Sequence, residues 1–156
     1  MTINSINGPF VITAKADRIE SLKNGAISII DYKTGTPPGK KEVSAGNAPQ
    51  LPLEALIASK GIFKGITSTD VVKLSYWHLK GKKNQNQIKA IASGEGEVNR
   101  LVETVEEILL TLVKSFDDQS TTYLARSHPE EKERYSDYDH LSRIKEWSIK
   151  ASDEHE

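Results

Sequence analysis

Two carboxylates and a lysine lie close together in and beside an isoleucine-rich stretch: Asp17, Asp31 and Lys33. Asp31 and Lys33 are two residues apart, so on a strand their side chains share one face. A carboxylate following Ile27-Ser28-Ile29-Ile30 is costly unless it is paired or binds a metal. Lys33 could satisfy it as a simple buried ion pair. The chemically richer reading is a hard divalent cation, Mg²⁺ or Mn²⁺, bridging Asp17 and Asp31 through oxygen-only ligands. Such an ion polarises a phosphoryl oxygen and acidifies a bound water. The Lys33 ammonium would position that water and offset transition-state charge. Phosphodiester hydrolysis requires this set.

Whether Asp17 joins Asp31 depends on hairpin register. A two-residue Asn24-Gly25 turn pairs Asp17 with Tyr32 and turns the two acids to opposite faces. A three-residue loop, Lys23-Asn24-Gly25, pairs Leu22 with Ala26 and Asp17 with Asp31. It also puts Gly25 at the left-handed position that such loops favour. Two like charges directly opposite repel, and a divalent cation between them reverses that sign. The three-residue loop is therefore the predicted one.

The positioning elements can be read from pattern. Phe10 to Leu22 alternates and is rich in β-branched residues, so it predicts one strand; Ala26 to Lys33 predicts a central, doubly covered strand. Thr34 to Gly46, with Gly35, Pro37, Pro38 and Gly39, predicts a loop. Gln50 to Lys60 predicts a helix, with Pro49 in its first turn and Gly61 as its stop. Val71 to Leu79 predicts a third strand and Gln87 to Ala92 a short fourth. Glu97 to Phe116 carries Val98, Leu101, Val102, Val105, Ile108, Leu109, Leu112, Val113 and Phe116 at helical spacing, the pattern of a core face. The order describes an α/β layered domain on a mostly antiparallel sheet. A last apolar cluster, Tyr135, Tyr138, Leu141, Ile144 and Trp147, closes a domain over residues 1–147, with a flexible tail over 148–156.

Composition bounds the rest. The 156 residues argue for one domain, and 37% hydrophobic content is too much for a disordered chain. With no cysteine, disulfide scaffolds, cysteine-ligated zinc and cysteine-ligated iron–sulfur clusters are excluded within this sequence. No apolar run approaches the ~20 residues of a membrane span, and the first residues lack the pattern of a signal peptide. The expected setting is cytoplasmic, with no membrane partner. Residues 1–90 hold 13 Lys/Arg against 6 Asp/Glu, whereas residues 91–156 hold 8 against 16. A basic first part suits an anionic partner such as nucleic acid.

Three stretches carry a family resemblance. Ala16-Asp17-Arg18-Ile19-Glu20, Ile29-Ile30-Asp31-Tyr32-Lys33-Thr34-Gly35 and Pro49-Gln50-Leu51-Pro52-Leu53-Glu54-Ala55 together resemble the PD-(D/E)XK nuclease superfamily, in its RecB-like branch. Closer still, the chain is similar to the C-terminal nuclease domain of alphaproteobacterial AddB-type double-strand-break repair proteins. The resemblance extends over Leu74-Ser75-Tyr76-Trp77-His78-Leu79 and the closing 138–147 segment.

The resemblance implies a restriction-endonuclease-like fold, a mixed sheet flanked by helices, whose N-terminal helix lies upstream of Met1 in a larger protein. It implies a Mg²⁺-dependent DNA exonuclease module in a helicase–nuclease complex for recombinational repair, with an AddA-type helicase–nuclease subunit as partner. Asp17 and Asp31 take the metal-binding roles, Tyr32 adds a backbone carbonyl, Lys33 is the catalytic lysine and Gln50 the assisting glutamine. Two features depart from the family pattern. No histidine precedes His78, where the family commonly has a metal-binding one on an upstream helix. Glu54 stands where a tyrosine is common, and is read as a solvated surface charge. These departures support an alternative, a nuclease-fold module that binds DNA or braces a helicase partner without cleaving.

Other signals are weaker. Gly35-Thr36-Pro37-Pro38-Gly39-Lys40-Lys41 has the wrong spacing for a phosphate loop, and its prolines lack backbone donors. Lys80, Lys82 and Lys83 predict a basic, solvated turn with a phosphate contact as the second reading. Tyr76 and Trp77 could stack bases, although their strand setting makes one of them core. His78, His128, His140 and His155 do not form a ligand spacing.

Overall fold

A computed structural model describes residues 1–67, 69–81 and 86–122. Met1–Asp118 pack as one compact unit. The expected apolar cluster at 135–147, the 147/148 boundary, Lys82, Lys83 and three of the four histidines lie outside the described residues.

Among the described residues the apolar periodicities resolve into six strands and three helices. Strands β1 (Thr2–Ser5) and β2 (Gly8–Val11) form a separate antiparallel hairpin, closed by Ile6 and Asn7 with Ser5 opposite Gly8. Strands β3 (Arg18–Ser21), β4 (Ile27–Lys33), β5 (Val71–His78) and β6 (Gln87–Ser93) form a four-stranded sheet in that order. The outer pairings are antiparallel and the central β4–β5 pairing is parallel, so the sheet is mixed.

The single strand predicted over Phe10 to Leu22 is two. β2 pairs only with β1, and the β3–β4 ladder stops at Arg18–Ile30, beyond which the Asp17 carboxylate accepts the Tyr32 N–H.

β4 is buried from Ile27 to Asp31, as its double-sided isoleucine pattern requires. Helix α2 (Gln50–Ser59) packs Leu51, Ala55 and Ala58 into the core with Ile27, Ile29, Leu74 and Tyr76. Gly61 ends it in the left-handed conformation at φ 67°. The predicted loop after β4 contains a short helix, α1 (Lys40–Ser44), whose Val43 enters the core. Its start is held by the Gly39 backbone N–H donating to the Glu42 carboxylate.

Helix α3 (Glu95–Asp117) contributes Val98, Leu101, Val102 and Val105 to the packing. Toward the end of α3 the expected core stripe thins: Ile108, Leu109 and Val113 are half-buried, and Leu112 and Phe116 are exposed.

Candidate active site

The site begins with the hairpin turn. Leu22 N–H donates to Ala26 O at 2.8 Å and Gly25 N–H to Leu22 O at 3.0 Å, with Gly25 at φ 85°. Asn24 Oδ1 accepts the Ala26 N–H at 3.2 Å. This is the predicted three-residue loop. Arg18 then pairs with Ile30 and Ile19 with Ile29, so the ladder ends one residue short of the expected Asp17–Asp31 pair, and Asp17 is a bend immediately before β3.

Asp31 is 1% exposed in the sheet interior, paired with Tyr76 on β5. Its side chain shares the face of Ile27 and Ile29, onto which α2 packs. Gln50 and Glu54, one helical turn apart, extend toward it from α2. Lys33 Nζ lies 2.9 Å from Asp31 Oδ2 and donates to Gln50 Oε1 at 2.9 Å. The Gln50 amide nitrogen donates to Asp31 Oδ1 at 2.5 Å and to Glu54 Oε1 at 3.3 Å. Asp31, Lys33, Gln50 and Glu54 are thus one network, with the Lys33 ammonium 5.5 Å over the Tyr76 ring.

Asp17 sits at the exposed rim, where its Oδ2 accepts the Tyr32 backbone N–H at 3.0 Å. The Tyr32 ring turns to the opposite face. There it meets Trp77 edge-on at 5.8 Å, and Arg18 donates to its hydroxyl at 3.2 Å while stacking 5.2 Å from the Trp77 ring. Tyr76 is buried core, so Trp77 is the more exposed of the two aromatics.

Glu54 is not a solvated surface charge. It is 3% exposed, and its pKa is pushed up to about 7. Burial is the main cause; the Gln50 hydrogen bond opposes it, and the charges of Asp31 and Asp17 add to it. That both aspartates act on Glu54 places three carboxylates in one neighbourhood. The signal in the sequence was the same as for Asp31: an acid inside an apolar run, here Leu53-Glu54-Ala55-Leu56-Ile57. The Tyr76 hydroxyl is pushed up to about 12, first by burial and then by Asp31, Glu54 and Glu42, so it stays protonated.

The donor set suits a hard cation. Among the described residues no three His, Cys, Asp or Glu side chains form a ready metal cluster. Mg²⁺, however, is commonly held by one or two carboxylates with water and substrate phosphate completing its shell. Two buried carboxylate oxygens, Asp31 Oδ2 and Glu54 Oε2, lack a hydrogen-bond partner, although Oδ2 has the Lys33 ion pair. Such orphaned oxygens beside Asp17 are what a hard cation satisfies.

A mixed sheet flanked by helices, with a D-x-K pair on its central strand and a helix glutamine hydrogen-bonded to both residues of the pair, is consistent with a restriction-endonuclease-like fold. The model of the PD-(D/E)XK nuclease superfamily matches residues 2–137, and the chain belongs to that superfamily. An uncharacterized protein of Rickettsia conorii is 32% identical over 158 residues, covering 92% of this chain and 19% of that protein. An uncharacterized Rickettsia typhi protein is 44% identical over 66 residues, covering 41% of this chain and 8% of that protein. The chain spans about a fifth of the length of the first of these relatives. No solved structure matches it.

Proposed function

We propose that the chain is a divalent-metal-dependent DNA nuclease module, acting as an exonuclease within a larger protein. The observation that carries this reading is the buried Asp31 carboxylate, held 2.9 Å from Lys33 and hydrogen-bonded to Gln50, with Asp17 accepting the N–H of Tyr32, the residue after Asp31.

Asp17 and Asp31, with the Tyr32 carbonyl, would hold Mg²⁺ or Mn²⁺. When bound, the ion supplies Lewis-acid polarisation of a phosphoryl oxygen and an acidified water. Lys33 orients the attacking water and offsets negative charge at the phosphorus as it builds. Gln50 fixes Lys33 through its amide oxygen and Asp31 through its amide nitrogen, so one side chain sets the distance between acid and ammonium. Glu54 holds that amide in orientation from the far side.

The finer reading is the repair role of AddB-type proteins: a nuclease module in the cytoplasm, working beside an AddA-type helicase–nuclease subunit in double-strand-break repair. The three-part motif supports it. Among the described residues no helix is long and apolar enough to cross a membrane.

The test is cleavage of end-labelled linear DNA by the full-length protein with Mg²⁺ or Mn²⁺. Asp31→Ala and Lys33→Ala are each expected to lower the rate by about 10²-fold or more, with the circular dichroism spectrum unchanged. Activity kept in both variants would defeat the reading. A second reading, a module that binds DNA without cutting it, rests on Glu54, a buried acid where the family commonly has a tyrosine. Calorimetry showing no Mn²⁺ uptake while DNA binding persists would select that one.

A further inference from the structure

Beyond Lys33, the face that carries the catalytic network continues sideways across the sheet. Lys33 pairs with His78 and His78 with Gln87; Asp31 pairs with Tyr76 and Tyr76 with Lys89. Paired residues share a face, so two rows run outward from the site, one ending at Gln87 and the other at Lys89. Above them, between the loop after β4 and the β5–β6 end, opens a cleft of about 590 Å³ lined by Thr36, His78, Lys80, Gln87 and Lys89 among others. No acidic residue lines it.

Among the described residues its lysines share the lack of an ion pair with Lys15, Lys41, Lys64 and Lys73, and what sets them apart is their place next to His78, the strand partner of Lys33. Lys33, Lys40 and Lys60 are each neutralised, by Asp31, Glu97 and Glu106. Lys89 donates only to a backbone carbonyl, that of Pro37 at 3.1 Å, and Lys80 makes a contact only through its backbone. Among the described residues neither ammonium has a carboxylate within ion-pair distance. Two ammonium groups outside ion-pair distance of any carboxylate, with Glu42 the acid nearest Lys89 at Gly39, and an imidazole, which always has an N–H to donate, therefore line a cleft beside the proposed site of phosphodiester hydrolysis.

We propose that this cleft is a backbone-phosphate track: His78, Lys80 and Lys89 hold the phosphates of the nucleic acid strand next to the one being cut. The proposal rests on the nuclease reading and deepens it. Two strand spacings separate Asp31 from Lys89, about 10 Å. A polyanion meets the row at successive phosphates, whereas a single small anion leaves part of it unpaired. Contacts of this kind fix position and register without reading sequence.

The test measures binding of a labelled single-stranded oligonucleotide to the full-length protein across a salt series, by fluorescence anisotropy. It uses the Asp31→Asn background with chelator present, so that nothing is cleaved. Lys80→Ala and Lys89→Met are each expected to weaken binding equally for unrelated sequences. Each is expected to flatten the slope of log affinity against log salt by about 0.7. Lys60→Ala, whose ammonium pairs with Glu106, is the control and keeps the full slope. Lys89 also anchors the Pro37 carbonyl, so Lys80→Ala, which breaks no side-chain contact, keeps the test decisive if Lys89→Met misfolds.

An unchanged slope in Lys80→Ala overturns the proposal. So does displacement of no DNA by either change while inorganic phosphate binding is lost, since that marks a small-anion site. Flattened slopes with a wild type that never cleaves DNA support the track and defeat the nuclease reading alone.

Discussion

Asp31 is a charge that the fold accepts at a cost, and its neighbours show how that cost is met. Lys33 and Gln50 compensate most of it, while two carboxylate oxygens in the network remain without a hydrogen bond. Glu54 is the less compensated acid, and its raised pKa links stability to pH. Its folded value of about 7 lies above the ordinary 4.5, so the folded state favours the protonated form. This group's stabilising contribution is complete below about pH 4.5, declines as pH rises toward 7 and is gone above that. The full range is on the order of 3 kcal/mol. With metal chelated, Glu54→Gln is expected to unfold at a higher temperature than wild type at pH 8, and at a similar one near pH 5. Thermal melts at the two pH values check this; parallel curves would show that Glu54 does not carry the linkage. Gln50→Ala removes the amide that joins Lys33 to Asp31. Its expected signature is a fall in cleavage rate of about 10-fold or more, with little change in DNA affinity, read from rates at saturating DNA.

At the scale of elements, the hairpin decides whether the site exists. The three-residue loop, the central strand and the glutamine helix were legible because each has a local chemical cause: Gly25 at positive φ, isoleucines of both parities, and an apolar helix stopped by Gly61. The Cβ of Gly25→Ala would meet no atom within 4 Å, so its cost is conformational alone, about 1–2 kcal/mol. Denaturant melts should show a lower midpoint at unchanged slope. Leu51, fully buried on α2, holds the helix that presents Gln50 and Glu54. Leu51→Ala is expected to cost about 2–5 kcal/mol. The break between β2 and β3 was not legible, because alternation over residues 10–22 says nothing of which partner each half pairs with. Nor was the burial of Glu54, which depends on the depth of α2 against the sheet. Helix periodicity alone overstated the core face of α3, since it gives the side of the helix that is apolar and not how far along its length other elements pack.

For the molecule as a whole, the split of charge along the chain acquires a place. Lys80 and Lys89, which line the cleft next to His78, come from the basic first part, while acids of the second part, Glu97 and Glu106, pair with Lys40 and Lys60. The superfamily was legible from three short motifs, because the chemistry fixes residue types at those positions. The tertiary network that joins them was not, because it rests on an i,i+4 pair from α2 reaching a strand nineteen residues earlier in the case of Gln50 and Asp31. The decisive measurement is the divalent-ion dependence of DNA cleavage by the full-length protein, compared with Asp31→Ala. Cleavage should appear with Mg²⁺ or Mn²⁺, vanish on chelation and be lost in the variant. Cleavage by Asp31→Ala at the wild-type rate would contradict the assignment of that carboxylate, and with it the site.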